Sequence, residues 1–384
     1  MSAALLDDLR TLVRTDRINW QLPMQAALSG AGASDTLTAA GWAALPWYGV
    51  LELWRHDPAV SDILVNGPER EIYLVQQGRR IPTRVRAHAQ WITFAQRQLG
   101  LRAGQLDAAA PEQWQVWGQA AHVLEGTADR RLRFACTRPP ATPDGPTIAV
   151  RLLPERWRSL HDLVLDGVVT AAVADLLLAA LRAGVSILLG GATGSGKTTV
   201  AAALLGELAD EARLVIVEQS RELPATPDSV AIEAGGGAIR FVDAVRLALR
   251  QKPTLIVVGE VRGAEALALL RAAATGHPGV ATIHANDAQS ALKNLERMAS
   301  EGGEVAPGIV RGMLTSSAAP LVVGQIAVVD GRRRLVELVE VLPSGAAGQL
   351  GDRFTTQALF AYDGRTQQIV RQYPVQGAWA RGRF

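Results

Sequence analysis

The amino-acid sequence predicts an α/β fold with a mostly parallel sheet, preceded by a smaller α+β domain. In the second half of the chain, apolar runs typical of buried strands alternate with longer segments at helical spacing. A glycine-rich loop over residues 190–198 joins one of these runs to an alanine- and leucine-rich helix. Polar residues follow several of the runs, at the ends where open α/β sheets bind ligands. Strands and helices that alternate in this way indicate a parallel sheet.

Length and composition narrow the classes of protein. At 384 residues the chain is long for one core, and 48% hydrophobic and 20% charged residues are typical of a globular protein. The formal charge of +2 does not call for direct binding of nucleic acid. The single cysteine, Cys136, excludes an internal disulfide and a multi-cysteine zinc site, and it fits a reducing compartment.

Two features of the sequence argue against a secretory signal and against a transmembrane segment. Asp7 and Asp8 stand where a secretory signal would carry positive charge, and Asp166 and Asp175 interrupt the most apolar long stretch, residues 163–181. We therefore expect a cytoplasmic protein without a transmembrane segment. Any membrane association is expected to be peripheral.

Composition and hydrophobic pattern divide the sequence into four predicted segments. Residues 1–45 combine a short helical pattern with an Ala-, Gly-, Ser- and Thr-rich stretch, and we expect an N-terminal helix and a flexible extension. Residues 46–153 hold several tryptophans and short alternating runs, which predict the α+β domain. Residues 154–168 show little periodicity and are expected to be a linker. Residues 169–384 form the predicted α/β domain, which includes a C-terminal hairpin.

The secondary-structure elements are predicted from periodicity and turn residues. In the first domain we expect a helix over residues 91–99, two strands within residues 63–75 joined by a turn at Gly67 and Pro68, a second turn at residues 77–79, and strands over residues 131–135 and 147–152. In the second domain we expect strands over residues 185–189, 213–217, 229–233, 255–258 and 280–283. Helices are predicted over residues 170–182, 198–209, 241–250, 263–275 and 287–299, and the hairpin over residues 325–329 and 335–341.

The glycine-rich loop carries a specific motif. Gly191, Gly196, Lys197 and Thr198 match the pattern G-x-x-x-x-G-K-[ST] of a phosphate-binding loop. Glycines let successive backbone N–H groups point at phosphate oxygens, Lys197 can reach the β- and γ-phosphates, and the Thr198 hydroxyl can ligate Mg²⁺. The alternative is a glycine-rich turn that matches by chance. The motif predicts binding of ATP and Mg²⁺ by the loop residues, which are Gly191, Ala192, Thr193, Gly194, Ser195, Gly196, Lys197, Thr198 and Thr199.

Three polar residues at predicted strand ends are candidates for chemistry. Glu260 follows the strand over residues 255–258 and is our candidate to polarise the attacking water, although it could instead cap the next helix. Glu218 ends another strand and could hold Mg²⁺ through water or orient the nucleophile. His284 ends a third strand, where an imidazole can donate to the γ-phosphate; the alternative is a hydrogen-bonded histidine of the core.

Two further stretches resemble a known family. RQKPTLIVVGEVRG, residues 250–263, and TGHPGVATIHAN, residues 275–286, strongly resemble the ATPases of the type II and type IV secretion and pilus superfamily. The similarity covers roughly residues 50–341 and is strongest to the conjugation-type and tight-adherence-pilus branch. It implies a hexameric ring motor with an N-terminal domain and a RecA-like C-terminal domain. It also implies a partner at the inner membrane.

The resemblance assigns further roles residue by residue. Lys197 and Thr198 match the Walker A pair and Glu260 the Walker B glutamate, which is the presumed base. The acidic Asp-box is matched by Glu218 and Glu222, the His-box by Gly276, His277 and His284, and the N-domain arginines that approach the phosphates by Arg133 and Arg151. This chain departs from the family at Gln219, where an aspartate is usual, at Lys252 and at Thr254.

These features lead to one main hypothesis and two alternatives. The main hypothesis is an ATP hydrolase that acts as a cytoplasmic ring motor for pilus assembly or for protein or DNA secretion. The first alternative, favoured by Gln219, is a nucleotide-binding structural subunit with little hydrolysis. The second is a RecA-like nucleic-acid translocase, against which the small net charge argues.

Overall fold

The computed structural model divides into two compact units, Met1–Glu155 and Arg156–Phe384. The structure describes residues 48, 51, 54–76, 78–87, 89–104, 106, 122–129, 131–154, 156–234, 239–301, 304–343 and 353–380. The predicted N-terminal helix and extension, residues 1–45, lie outside the described residues.

The first unit is built on an antiparallel sheet with a helix packed on one face. Its strands are β1 (Val60–Val65), β2 (Glu71–Gln76), β3 (Arg79–Arg86), β4 (Val123–Ala128), β5 (Leu132–Thr137) and β6 (Thr147–Leu152), in the spatial order β3-β2-β1-β6-β5-β4. The helix is α1 (Ala89–Arg102). The structure adds β3 and β4 to the elements predicted for this unit.

Alternation along the strands defines the core of the first unit. In β5, Leu132, Phe134 and Cys136 are buried, whereas the intervening residues lie on the other face. Helix α1 contributes Trp91, Ile92, Ala95 and Leu99 to the same core. Burial raises the pKa of the Cys136 thiol well above its ordinary value, because a thiolate would lose its hydration there. The cysteine is therefore a core residue of this unit.

The second unit is built on a larger sheet with helices on both faces. Its strands are β7 (Ser186–Gly191), β8 (Leu214–Glu218), β9 (Ser229–Glu233), β10 (Leu255–Val258), β11 (Gly279–Ile283), β12 (Leu321–Val329), β13 (Arg332–Val341), β14 (Thr356–Asp363) and β15 (Gln368–Arg371). Its helices are α2 (Leu160–Leu165), α3 (Ala171–Arg182), α4 (Lys197–Glu207), α5 (Phe241–Arg250), α6 (Glu265–Ala274), α7 (Ala288–Ser300) and α8 (Pro307–Leu314).

The strand order is β15-β14-β13-β12-β7-β11-β10-β8-β9. The neighbours from β12 through β9 pair in parallel, and β13, β14 and β15 extend one edge by antiparallel pairing. The predicted α/β class with a mostly parallel sheet is therefore confirmed. Helix α8 and strands β14 and β15 were not predicted, and β12 begins earlier than the predicted hairpin.

Two apolar layers cover the parallel strands. Within β7, Leu188 packs into the layer formed with α5, α6, α7 and α8, whereas Ile187 and Leu189 pack into the layer formed with α2, α3 and α4. Burial on both faces explains why these strands read as continuous apolar runs in the sequence. It also leaves the strand ends as the places where the sheet can carry charge.

The segment predicted as a linker, residues 154–168, contains a short helix. Ser159 caps α2: its hydroxyl accepts from the Asp162 N–H, and the Asp162 carboxylate accepts from the Ser159 N–H. Leu160 and Leu163 are buried in the second unit. Six residues are too few to show a helical period, so the sequence predicted only an irregular connection here.

Paired substitutions in α2 test whether this helix belongs to the core. Leu163 is 1% exposed and Leu165 is 72% exposed. We expect Leu163→Ala to lower the free energy of unfolding by about 2–5 kcal/mol, because it leaves a cavity, and Leu165→Ala to change it by no more than about 0.5 kcal/mol. Urea unfolding followed by circular dichroism measures both. Equal effects would show that α2 is a linker and no part of the core.

Candidate functional site

The parallel pairing of the central strands brings their carboxyl ends to one edge of the sheet. Ile283 of β11 lies beside Gly190 of β7, and Val258 of β10 lies beside Ala281 of β11 and Val217 of β8. The residues that follow these strands therefore meet along one line. We call this line, from the glycine-rich loop past His284 and Glu260 to Glu218, the active edge.

The loop after β7 depends on glycine at particular positions. Gly194 and Gly196 have φ of +74° and +106°, a region that side chains with a Cβ rarely adopt. At Gly191 a Cβ would collide with the Ser195 side chain and the backbone oxygen of Ile326. Helix α4 begins directly after Gly196, so its positive end and its free N–H groups face the loop. The backbone therefore has the geometry of a turn that can bind an anion.

Lys197 is held inside this loop. Its Nζ donates to the backbone oxygens of Gly191, at 2.9 Å, and of Ala192, at 3.0 Å. Burial lowers the pKa of the Lys197 ammonium below its ordinary value, and the Glu260 carboxylate partly opposes that shift. A desolvated ammonium with only neutral acceptors gains by the arrival of an anion. The lysine is therefore suited to contact a phosphate group.

The remaining loop residues differ in exposure. Ala192, Thr193 and Gly194 are exposed, and Thr198 and Thr199 are half-buried at the start of α4. Within the described part of the chain, the Thr198 hydroxyl makes no hydrogen bond and is available as a ligand. The Ser195 hydroxyl is buried and likewise has no hydrogen-bond partner among these residues.

Glu260 lies at the centre of a polar network on the active edge. Its Oε1 accepts from the His284 Nε2, at 2.8 Å, and its Oε2 accepts from the Arg262 Nη2, at 2.6 Å. The Arg262 Nη1 donates in turn to the Gln219 Oε1 at 2.7 Å. The structure thus brings together residues that follow β8, β10 and β11. Gln219, one of the three departures from the family pattern, is part of this network.

Glu218 has a different environment. It is 5% exposed, and its carboxylate accepts from the backbone N–H groups of Glu222 and Leu223, all at 3.2 Å. These bonds shape the turn after β8. Glu218 also packs against Gly259, just before Glu260. In this conformation it anchors two loops of the active edge.

The other predicted residues lie elsewhere. His277 precedes β11, at the opposite edge of the sheet from His284, and its N–H donates to the backbone oxygen of Ala272 at 3.0 Å. Arg133 and Arg151 are cross-strand neighbours on β5 and β6 of the first unit. The Arg151 Nε donates to the Asp62 Oδ1 at 3.1 Å. That these arginines approach a nucleotide stays a prediction.

Sequence reasoning missed two arginines of the second unit. Arg262 stands two residues after Glu260, and this proximity was the available signal. Arg333 donates from its Nε to the Gly194 backbone oxygen at 3.0 Å, although 139 positions separate the two residues. The sequence showed only a basic run at residues 332–334, because the contact depends on how β12 and β13 pair.

Fold and site together define a phosphate-loop nucleotide-binding protein with a parallel sheet. A family model described as "Type II/IV secretion system protein" matches residues 50–339. The chain therefore belongs to this family, and by family and fold it is a secretion ATPase. The family resemblance predicted from the motifs is confirmed.

Individual relatives agree with this assignment. A probable conjugal transfer protein TrbB of Sinorhizobium fredii is 36% identical over 218 residues, which are 53% of this chain and 66% of that relative. A putative conjugal transfer protein of Mycobacterium tuberculosis is 35% identical over 305 residues, which are 76% of this chain and 83% of the relative. The type IV secretion system protein PtlH of Bordetella pertussis is 38% identical over 155 residues, or 38% of this chain and 46% of PtlH.

Solved structures support the fold. The Legionella pneumophila ATPase DotB is similar with a TM-score of 0.54 at 22% identity, covering 75% of this chain and 78% of DotB. The pilus retraction motor PilT, solved with bound ADP, has a TM-score of 0.52 at 20% identity, covering 78% of this chain and 84% of PilT. The predicted RecA-like core is confirmed by these similarities.

A pair of glycine substitutions tests the packing of the active edge. A Cβ at Gly259 would lie 2.8 Å from the Glu218 Cγ, whereas one at Gly206 in α4 would meet nothing within 4 Å. We expect Gly259→Ala to lower the free energy of unfolding by about 1–3 kcal/mol through overpacking. Gly206→Ala is expected to raise it by about 0.5–1 kcal/mol through helix propensity. Urea unfolding measures both, and a neutral Gly259→Ala would contradict the close packing of Glu218.

Proposed function

We propose that this secretion ATPase is a ring-shaped motor that hydrolyses ATP at the active edge and so powers pilus assembly or protein or DNA secretion through an inner-membrane complex. The observation that carries the proposal is the placement of Glu260, held by His284 and Arg262, on the same sheet edge as the phosphate-binding loop. A loop alone would support nucleotide binding. A carboxylate positioned on the neighbouring strands supports hydrolysis as well.

Each residue of the active edge has a separate role in the proposed hydrolysis. Lys197 and the loop N–H groups bind the β- and γ-phosphates, and Glu260 polarises the attacking water. His284 donates to Glu260 in the present structure and can donate to the γ-phosphate instead when nucleotide is bound. Loss of that phosphate on hydrolysis would return His284 to Glu260. This exchange would couple chemistry to a movement of the active edge.

Mg²⁺ is the metal that this site would hold. The half-buried Thr198 hydroxyl makes no hydrogen bond within the described part of the chain, which suits a ligand. Across those residues no group of three His, Cys, Asp or Glu side chains is placed to hold an ion. Thr198 and the phosphate oxygens would therefore supply the protein and substrate ligands, and the ion would neutralise phosphate charge.

Assembly and location are further parts of the proposal. Names of the relatives point to conjugal transfer and type IV secretion, and we propose that this chain serves a machine of that kind as a homo-hexamer at the cytoplasmic face of the inner membrane. None of the helices in the described ranges is long and apolar enough to cross a bilayer. We propose that the contact with a membrane platform protein is peripheral.

Gln219 favours one alternative, a nucleotide-binding subunit with little turnover. Where the family usually carries an aspartate, Gln219 offers a neutral oxygen to Arg262. Arg262 also pairs with Glu260. If that pair is too stable, Glu260 is a poor base and the protein binds ATP without rapid hydrolysis.

The decisive test of the motor proposal is Glu260→Gln. We expect the assembled oligomer of this variant to lose about 100- to 10,000-fold in kcat, because the amide cannot accept a proton, while its Kd for ATP stays within about threefold. Glu301→Gln, which neutralises an exposed carboxylate in α7's C-terminal region, is the charge-matched control. ATP turnover and nucleotide binding are measured on the same preparations. If wild type turns over no faster than Glu260→Gln, the chain is the binding subunit.

The N-domain arginines need a separate test. We expect Arg133→Ala and Arg151→Ala to lower kcat at least about tenfold, by analogy with other arginines that stabilise phosphoryl transfer. Arg80→Ala, at an exposed position of β3, should leave kcat unchanged. Turnover and melting temperature are measured together. Unchanged turnover in both variants would contradict a role at the phosphates.

A further inference from the structure

The hairpin of β12 and β13 extends beyond the end of β7, beside the phosphate-binding loop. Gln325 and Ile326 pair with Gly190 and Gly191, where β7 ends, and β12 continues to Val329. The chain then reverses through Asp330 and Gly331, with φ of +50° and +74°. The three residue pairs nearest the turn therefore lie past the sheet edge that holds the loop.

Val328 and Arg333 lie on the face of this hairpin toward the loop. They are directly opposite each other in the ladder, so their side chains share a face. The next pair on that face, Ile326 and Leu335, is buried in the layer formed with α3 and α4. Because α4 starts at the loop, the hairpin presents Val328 and Arg333 on the loop's side of the sheet.

Arg333 contacts the loop directly. Its Nε donates to the Gly194 backbone oxygen at 3.0 Å, and a Cβ at Gly196 would come within 3.1 Å of the Arg333 Cδ. The side chain is otherwise exposed, and Val328 is a 57% exposed apolar residue. Arg333 and Val328 together form a cationic and apolar surface on the side of the phosphate-binding loop. A planar group can stack on such a surface.

The strand order decides which end of a nucleotide this surface would meet. Glu260 and His284, which would act on the γ-phosphate, follow β10 and β11 on one side of β7. The hairpin stands on the other side of β7. With the β-phosphate in the loop and the γ-phosphate toward Glu260, the ribose and base must extend toward β12.

We propose that Val328 and Arg333 form the nucleobase-side wall of the site, with the Arg333 guanidinium stacked on the base and Val328 packed beside it. The inference rests on the proposed function, because it takes the orientation of the nucleotide from Glu260 and His284. It assigns to the hairpin a binding role that neither the loop nor the polar network provides. The wall would act on binding of nucleotide and not on the chemical step.

Competition binding separates the two ends of the nucleotide. The bound probe is a fluorescent ATP analogue labelled on the ribose, with Mg²⁺ present, displaced by ATP or by inorganic tripolyphosphate. We expect Arg333→Ala to weaken ATP about 3- to 30-fold, the range of a cation–π contact, and to leave tripolyphosphate within about twofold. Arg333→Lys should recover only part of the loss, because an ammonium cannot stack as a plane. Val328→Ser should weaken ATP in the same selective way.

Arg332→Ala is the matched control. Arg332 is exposed and pairs with Val329, so it lies on the other face of the same hairpin. This variant should bind ATP and tripolyphosphate as wild type does. Melting temperatures of all variants show whether the hairpin remains folded.

Two results would overturn the inference while leaving nucleotide binding intact. In the first, Arg333→Ala weakens ATP and tripolyphosphate equally, which makes Arg333 a phosphate ligand. In the second, it weakens neither, while Lys197→Ala still abolishes binding. Failure of the proposed function looks different, because wild type would then bind ATP but turn it over no faster than Glu260→Gln does.

Discussion

The parallel register of β7, β11, β10 and β8 is the constraint on which the rest of the second unit depends. These strands are buried on both faces by helices, so their interiors must be apolar and charge is confined to their ends. Parallel direction then places every carboxyl end on one edge. The phosphate-binding loop, the His284 imidazole and the carboxylates of Glu218 and Glu260 therefore meet at this edge. They do so although they lie far apart in the sequence, between residues 191 and 284.

Electrostatics gives that edge its chemical character. Glu260 pairs with Arg262 and His284 and also attracts the Lys197 ammonium. Lys197 is desolvated and bonded to neutral oxygens, which leaves it ready for an anion. A triphosphate entering this edge would compete with Glu260 for the same cations. In the proposed function, ATP binding and the release of Glu260 from these cations would be linked through the shared partners.

The first unit uses a different principle. In its antiparallel sheet, alternation separates an apolar face, covered by α1, from a polar face. Arg133, Arg151 and Asp62 are neighbours on that polar face across β5, β6 and β1. The arrangement keeps two arginines in register and ties one of them to a carboxylate. It holds two positive charges side by side on that face.

Local sequence determined much of this protein. Three features could be predicted from the sequence because each depends on neighbours within a few residues. They are the phosphate-binding motif, the apolar runs of the central strands and the carboxylates that end these strands. Helix α2 could not be predicted from the sequence, because one and a half helical turns are too short to show a hydrophobic periodicity. The bonds of Arg262 to Gln219 and of Arg333 to Gly194 were decided only by the tertiary structure. Periodicity reveals which face of an element is buried, but the order in which strands lie side by side arises from packing among distant segments, and that order selects which side chains meet.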